Sequence, residues 1–244
     1  MIVLFTDFGV SGPYVGQMKG VLAREAPGLP AIDLMHDAPT FDPRLSAYLL
    51  AAVAGPFPKD AVFLCVVDPG VGGPRAPVVA EADGRRFVGP DNGLFEIVLR
   101  RANRASLHAI DWRPEKLSAS FHGRDLFAPV AARLAIGQEV ALGPGGTRFP
   151  AWPDGLPEIV YVDAYGNAMT GLSADTMPEG THILVGGRRL QRARTFSDMP
   201  EGRAFWYENS SGLVEIAVNR GSAAAILGLS PGMPFSVDRG TGAA

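Results

Sequence analysis

Cysteine is nearly absent. Cys65 is the one thiol in 244 residues, which excludes a disulfide framework and any cysteine-rich zinc site. It stands in the run Val62-Phe63-Leu64-Cys65-Val66-Val67, a setting for a packed strand residue rather than a reactive thiol. Charge is also scarce: 22 Lys plus Arg face 25 Asp plus Glu, a net of −3, with no basic block. A surface built to hold nucleic-acid phosphate is therefore not expected. No apolar run approaches the ~18 residues of a membrane span, and no positively charged flank opens the chain, so neither a membrane helix nor a secretory leader is expected. The expected location is cytoplasmic. Three familiar signatures are missing too: a Gly-x-x-x-x-Gly-Lys phosphate loop, a dinucleotide fingerprint, and a Gly-x-Ser-x-Gly nucleophile elbow.

What is present is core material. Hydrophobic residues make up 47% of the chain, ample for a packed interior. At roughly 150 residues per domain, the length allows one large domain or a medium one with a smaller companion. The first half alternates strand and helix signals. Strands are expected at residues 2–5, 31–34 and 61–67, the last a continuous apolar run suited to a parallel strand buried on both faces. Residues 78–80 and 86–88 flank Asp83-Gly84, a hairpin signal. Helices are expected at 14–25, 44–54, 94–101 and 125–136. Residues 141–157 are dense in Gly and Pro, as a linker or long loop would be. Beyond them come short apolar runs at 158–162, 182–185, 205–207, 213–218 and 223–227, separated by turn residues. The expected architecture is an α/β domain with a mainly parallel sheet over residues 1–145. A smaller all-β, barrel-like domain follows over 146–244.

In a parallel α/β sheet, ligands bind beyond the carboxyl ends of the strands. Asp7, Asp68 and Asp91-Asn92-Gly93 follow three expected strands, and Ser120-Phe121-His122-Gly123-Arg124-Asp125 precedes an expected helix. A single aspartate at such a place is often only a helix cap, but four clusters on one edge favour a site. His122 sits in a polar loop, whereas His36, His108 and His182 adjoin apolar runs and read as structural. His36-Asp37 leaves open a metal phosphoesterase using Asp7, His36, Asp37 and His122, although no ligand spacing supports it. Two further clusters, Tyr161-Val162-Asp163-Ala164-Tyr165-Gly166-Asn167 and Tyr207-Glu208-Asn209-Ser210-Ser211-Gly212, would each pass alone for a turn.

Taken in order, six motifs resemble the S-adenosyl-L-methionine hydroxide adenosyltransferases, hydrolytic relatives of the fluorinating and chlorinating enzymes that use the same substrate. They are Thr6-Asp7-Phe8-Gly9, Asp68-Pro69-Gly70-Val71-Gly72, Gly89-Pro90-Asp91-Asn92-Gly93, Phe121-His122-Gly123-Arg124-Asp125, Asp163-x-Tyr165-Gly166-Asn167 and Asn209-Ser210-Ser211-Gly212. The resemblance implies a small-molecule substrate, with no cofactor expected; one histidine in a polar setting, a single cysteine in an apolar strand and scattered carboxylates give no expected metal site. The resemblance also implies a homotrimer with each site between the N-terminal domain of one subunit and the C-terminal domain of its neighbour. Asp68, Arg75 and His122 match the water-activating set. Asp7 matches the residue that accepts hydrogen bonds from the ribose hydroxyls, and Asn92 falls among the substrate-binding positions. Asp163 corresponds to the residue facing the methionine ammonium. Tyr165 and Asn167 correspond to the adenine platform and its hydrogen-bonding amide, Ser210 to a donor for the methionine carboxylate, and Phe196 to a further aromatic wall. Two positions depart from the pattern. Ser211 stands where the halogenating relatives carry Arg, and Gly171 where the hydrolases often carry Asn. A binding module that holds adenosine or S-adenosyl-methionine without turnover is the alternative from a different class.

Overall fold

The computed structural model describes residues 1–239, and the chain divides into two units, Met1–Ala151 and Trp152–Ala244. The first is built on a sheet of β1 (Ile2–Thr6), β2 (Ala31–Met35), β3 (Val62–Val66), β4 (Pro77–Ala82), β5 (Arg85–Pro90), β6 (Ala105–Ile110) and β7 (Leu142–Pro144). Their order across the sheet is β2-β1-β3-β5-β4-β6-β7. β1 is parallel to β2 and β3, and β3 to β5. β4 runs antiparallel to both β5 and β6, and β7 antiparallel to β6. β1, β2, β3, β5 and β6 therefore share one direction, and the sheet is mainly parallel.

β1 and β3 are buried along their whole length, which is why both read as unbroken apolar runs. Ile2, Leu4, Val62 and Leu64 pack with Met18 and Leu22 of α1 (Pro13–Glu25) and Val130 of α4 (Ala128–Ala135). α2 (Pro43–Val53) starts where Asp42 accepts the Leu45 N–H and Pro43 presets the first turn. The β4–β5 hairpin turns on Asp83 and Gly84, both at positive φ, as a two-residue turn of this hand requires. With β1, β3 and β5 running the same way, Asp7, Asp68 and Asp91 follow their carboxyl ends along one edge.

One expectation here needs correction, and two stretches gain detail that the sequence did not show. The segment expected as a helix from 125 begins instead as a π turn, Gly123–Phe127, before α4. Pro129 lacks the N–H that would bond Asp125, and its ring would crowd that carbonyl, so the preceding turn widens. Residues 141–157 are mostly loop, as expected, but the loop is anchored: β7 pairs with β6, and Thr147 bonds the Asp91 carboxylate through its N–H and hydroxyl. Glu96, at the start of α3 (Glu96–Arg101), holds Arg148 and the Phe149 N–H. β6 lies in a stretch whose apolar alternation is too weak to mark a strand.

The second unit carries two antiparallel sheets. One is β12 (Ala204–Glu208), β13 (Leu213–Val218), β9 (Ala168–Ser173) and β8 (Leu156–Val162), in that order. The other is β11 (Arg188–Leu190), β10 (His182–Val185) and β14 (Ser236–Asp238). Trp206, Val214, Ile216, Ile183 and Leu190 share its core. Residues 223–227, expected as a strand, form the short helix α5 (Ala223–Leu227). Its three alanines favour helix, Ser222 caps the start by accepting the Ala225 N–H, and Gly228 closes the end in the left-handed region.

Candidate active site

In the first unit, the loop after β3 carries Asp68 and Arg75, and the turn before α4 carries His122. Arg75 donates Nε–H to Asp68 Oδ1 at 3.0 Å and an Nη2–H to Oδ2. The same Nη2 lies 2.9 Å from His122 Nδ1. The Asp68 and Arg75 side chains are only 4% and 10% exposed, and the guanidinium also lies 5.3 Å over the Phe127 ring. Arginine has no acceptor, so Nδ1 must supply a lone pair, which leaves the proton of neutral His122 on Nε2. Burial first, and then the Arg75 charge, hold the His122 pKa below the usual 6.5. The loop takes this shape because Gly72, at positive φ, passes so close to Ala119 that a Cβ would lie 2.4 Å from its carbonyl oxygen.

Asp68 and His122 face a cavity of about 400 Å³ walled by Phe8, Tyr14 and Phe121. Those three rings meet at centroid distances of 5.3 to 5.9 Å. None of the three was a candidate from sequence, although Phe8 and Phe121 lie inside the quoted motifs. Asp7 accepts the Phe41 N–H at 3.0 Å. Burial, aided by the Asp68 charge and opposed by that backbone bond, raises its pKa. Asn92 uses both ends of its amide within the fold. Nδ2 donates to the Val67 carbonyl at 2.8 Å and Oδ1 accepts the Leu94 N–H, so it ties down the residue before Asp68.

The remaining candidates gather in the second unit around a cavity of about 780 Å³, lined by Asp163, Tyr165, Asn167, Phe196, Tyr207, Ser210 and Glu215 among others. Asp163 folds its own turn: Oδ1 accepts the Tyr165 and Asn167 N–H groups, and Oδ2 the Asn167 amide. Gly166 closes that turn at positive φ, where a Cβ would strike Ser222 Oγ at 2.0 Å. Tyr165 is left 81% exposed, a ring without packing on one face. Phe196 stands edge-on to Phe205 and Tyr207, at 5.4 and 5.3 Å. Gly171 has no room for a side chain, because a Cβ there would lie 2.6 Å from that of Leu156. Glu215 was missed. The available signal was one carboxylate inside the apolar run Leu213-Val214-Glu215-Ile216-Ala217-Val218.

The phosphoesterase constellation is not assembled. His36 is buried, with Nδ1 2.8 Å from Thr6 Oγ1 and Nε2 facing Asp33. Among the described residues, no three His, Cys, Asp or Glu side chains gather as metal ligands. A partly buried polar triad beside an aromatic-walled cavity, at the carboxyl edge of parallel strands, instead defines an α/β protein that handles a small organic molecule.

Comparison with known proteins narrows that class. The S-adenosyl-methionine hydroxide adenosyltransferase N-terminal domain matches residues 2–142 and the C-terminal domain of the same family matches residues 157–236. The (R)-S-adenosyl-L-methionine hydrolase of Thermus thermophilus is 43% identical, over 96% of this chain and 97% of the relative. That of Salinispora arenicola is 40% identical, over 96% of each. The crystal structure of an uncharacterized conserved protein from Thermotoga maritima superposes with a TM-score of 0.83 at 32% identity, covering 98% of this chain and all of that one. The chain belongs to the S-adenosyl-methionine hydroxide adenosyltransferase family.

Proposed function

We propose that this chain hydrolyses S-adenosyl-L-methionine to adenosine and L-methionine, using the Asp68–Arg75–His122 triad to present water to the ribose C5′ carbon. The hydrogen-bonded triad is the observation that carries this reading, supported by the hydrolase relatives at 43% and 40% identity. The water oxygen forms a bond to C5′ as the C5′–S bond breaks, and sulfur keeps the electron pair as the neutral thioether of methionine. The sulfonium leaves without acid assistance, so the catalytic problem is the nucleophile. Asp68 orients the water, each of its oxygens keeping a lone pair beyond the one bound by Arg75. Arg75 and the Nε2–H of His122 stabilise hydroxide character as the proton leaves. His122 is thus a donor held by Arg75, and Asp68 is the proton acceptor. A carboxylate at this point also disfavours halide as the attacking group.

Adenosine and methionine are recognised by Asp7 and Asn92 in the first unit and by Asp163, Tyr165, Asn167, Phe196 and Ser210 in the second, with Tyr165 as the adenine platform. The second unit acts as a separate, mostly β module, and the enzyme is a metal-independent, cytoplasmic homotrimer with sites at subunit interfaces. The division of the candidates between two units supports that arrangement, because a head-to-tail ring closes such surfaces by rotation. Among the described residues, no helix is long and apolar enough to cross a membrane. Mixing inactive His122→Ala and Asp163→Ala chains, unfolding and refolding them together, restores part of the activity if sites are shared. No recovery in mixed oligomers, confirmed by native mass spectrometry, places each site within one chain. The activity itself is tested by incubation with S-adenosyl-methionine and chromatography for adenosine. Binding without turnover would favour the non-catalytic module.

A further inference from the structure

Glu215 is the most deeply buried carboxylate in the second unit's cavity, at 2% exposure, on a strand buried from end to end. Both of its oxygens are held by neutral donors. The Tyr207 hydroxyl donates to Oε1 at 2.5 Å, and Asn209 Nδ2 donates to Oε2 at 2.7 Å. No cationic side chain pairs with it among the described residues. Arg220, which also borders the cavity, pairs instead with Glu201. Asp163 lines the same cavity and adds a second negative charge, and burial raises the Glu215 pKa. A carboxylate taken out of water without a cation is costly, and an apolar residue would suit this strand better. Such a group is retained where something outside the fold completes it. Phe196 and Tyr207 line the same cavity, and aromatic rings also favour a positive group.

We infer that Glu215 is a specificity-determining residue, whose carboxylate supplies with Asp163 the negative field that selects a cationic, sulfonium- and ammonium-bearing adenosyl ligand over a neutral one. This deepens the reading of the chain as an S-adenosyl-methionine hydrolase and rests on it. Glu215 acts partly by field and partly through the Asn209 turn. The Asn209 side chain, held by Glu215, accepts the Ser211 and Leu213 N–H groups and so shapes the turn that presents Ser210. Its charge and its scaffolding are separable. In Glu215→Gln, the amide oxygen still accepts from Asn209 and its NH2 can donate to the Tyr207 oxygen, so the turn survives while the charge is lost.

The test compares binding of S-adenosyl-methionine with that of 5′-methylthioadenosine, a neutral thioether lacking the ammonium, by isothermal titration, alongside turnover. Glu215→Gln is expected to weaken S-adenosyl-methionine binding at least about tenfold, to leave 5′-methylthioadenosine within about twofold, and to raise KM with little change in kcat. Equal weakening of both ligands, or of neither, overturns the inference. Tyr207→Phe serves as the second variant, since it keeps the charge and removes one donor, and it should preserve the preference for the cation. Loss of that preference in Tyr207→Phe would contradict the assignment to charge. If wild-type protein binds the cation selectively but releases no adenosine, the hydrolase reading fails while the Glu215 result still stands or falls on the binding ratio.

Discussion

Asp68 in the first unit and Glu215 in the second meet their surroundings in opposite ways. In the first, Asp68 meets its counter-charge within the fold, in a two-point contact with Arg75 that also fixes the His122 ring. In the second, Asp163 and Glu215 share a cavity, and among the described residues only neutral donors bind their oxygens. A charge balanced in advance suits a group that must hold a fixed geometry through a reaction. A charge left unbalanced suits recognition, because the ligand supplies the missing sign. On the proposed reading, the first unit handles water and the second chooses what the water attacks.

The comparison is broken most severely by removing Arg75. Arg75→Ala is expected to lower kcat about a hundredfold to a thousandfold, with KM within a few-fold, because its stabilisation is realised mainly on the developing hydroxide. Steady-state kinetics on a variant with a native thermal unfolding profile checks this, and near-native kcat would remove Arg75 from the chemistry.

A second charge pair in the first unit asks whether balanced burial there serves stability too. Glu96 is buried and held by Arg148, the Phe149 N–H and Arg100. Burial opposes its ionisation, but those partners outweigh it and bring the pKa from 4.5 to about 2. A carboxyl with a depressed native pKa adds stability above its unfolded value and loses it as pH falls through the native one. The contribution of about 3 kcal/mol is therefore expected to disappear between pH 4.5 and about 2. Glu96→Gln is expected to cost a similar ~3 kcal/mol at neutral pH and to flatten that acid dependence. Urea unfolding across pH checks both.

How far this was legible depended on the residue. β1, β3 and the Asp83-Gly84 hairpin could be read because burial on both faces and a two-residue turn each leave a local signature. The triad could be read only as motifs, since Asp68, Arg75 and His122 converge through two loops whose contact has no periodicity. Ala223–Leu227 misled because a five-residue apolar run fits either element, and the Ser222 cap decided it. The Gly- and Pro-rich stretch after 141 reads correctly as a loop, but its anchoring leaves no local signature. Its anchors, Asp91 and Glu96, lie some fifty residues earlier, with hydrogen bonds separated by 53 to 56 positions at Phe149 and Thr147. Glu215 was hidden in plain apolar sequence, where a lone carboxylate looks like an edge-strand charge until its burial is known.

Smaller effects sharpen the contrast. Phe196→Ala is expected to raise KM about tenfold with kcat nearly unchanged, since the ring belongs to the recognition half. A kcat loss of comparable size would blur the division between units. In the first unit, protonation of His122 Nδ1 would remove the acceptor facing Arg75. Because burial and Arg75 hold the His122 pKa below 6.5, neutral His122 persists to more acidic pH than free imidazole. The acid limb of kcat/KM is therefore expected to cost less than about twofold at pH 6.5 and to steepen below it. A limb centred above 6.5 would contradict the hydrogen bond to Arg75.

The most direct measurement is turnover of S-adenosyl-L-methionine by the wild-type protein in 18O-labelled water, with mass spectrometry of the nucleoside. Attack by solvent at C5′ puts one labelled oxygen into the 5′-hydroxyl of adenosine, matched by an equal yield of methionine. No adenosine, or adenosine without the label, would contradict hydrolysis by an activated water at the Asp68–Arg75–His122 triad.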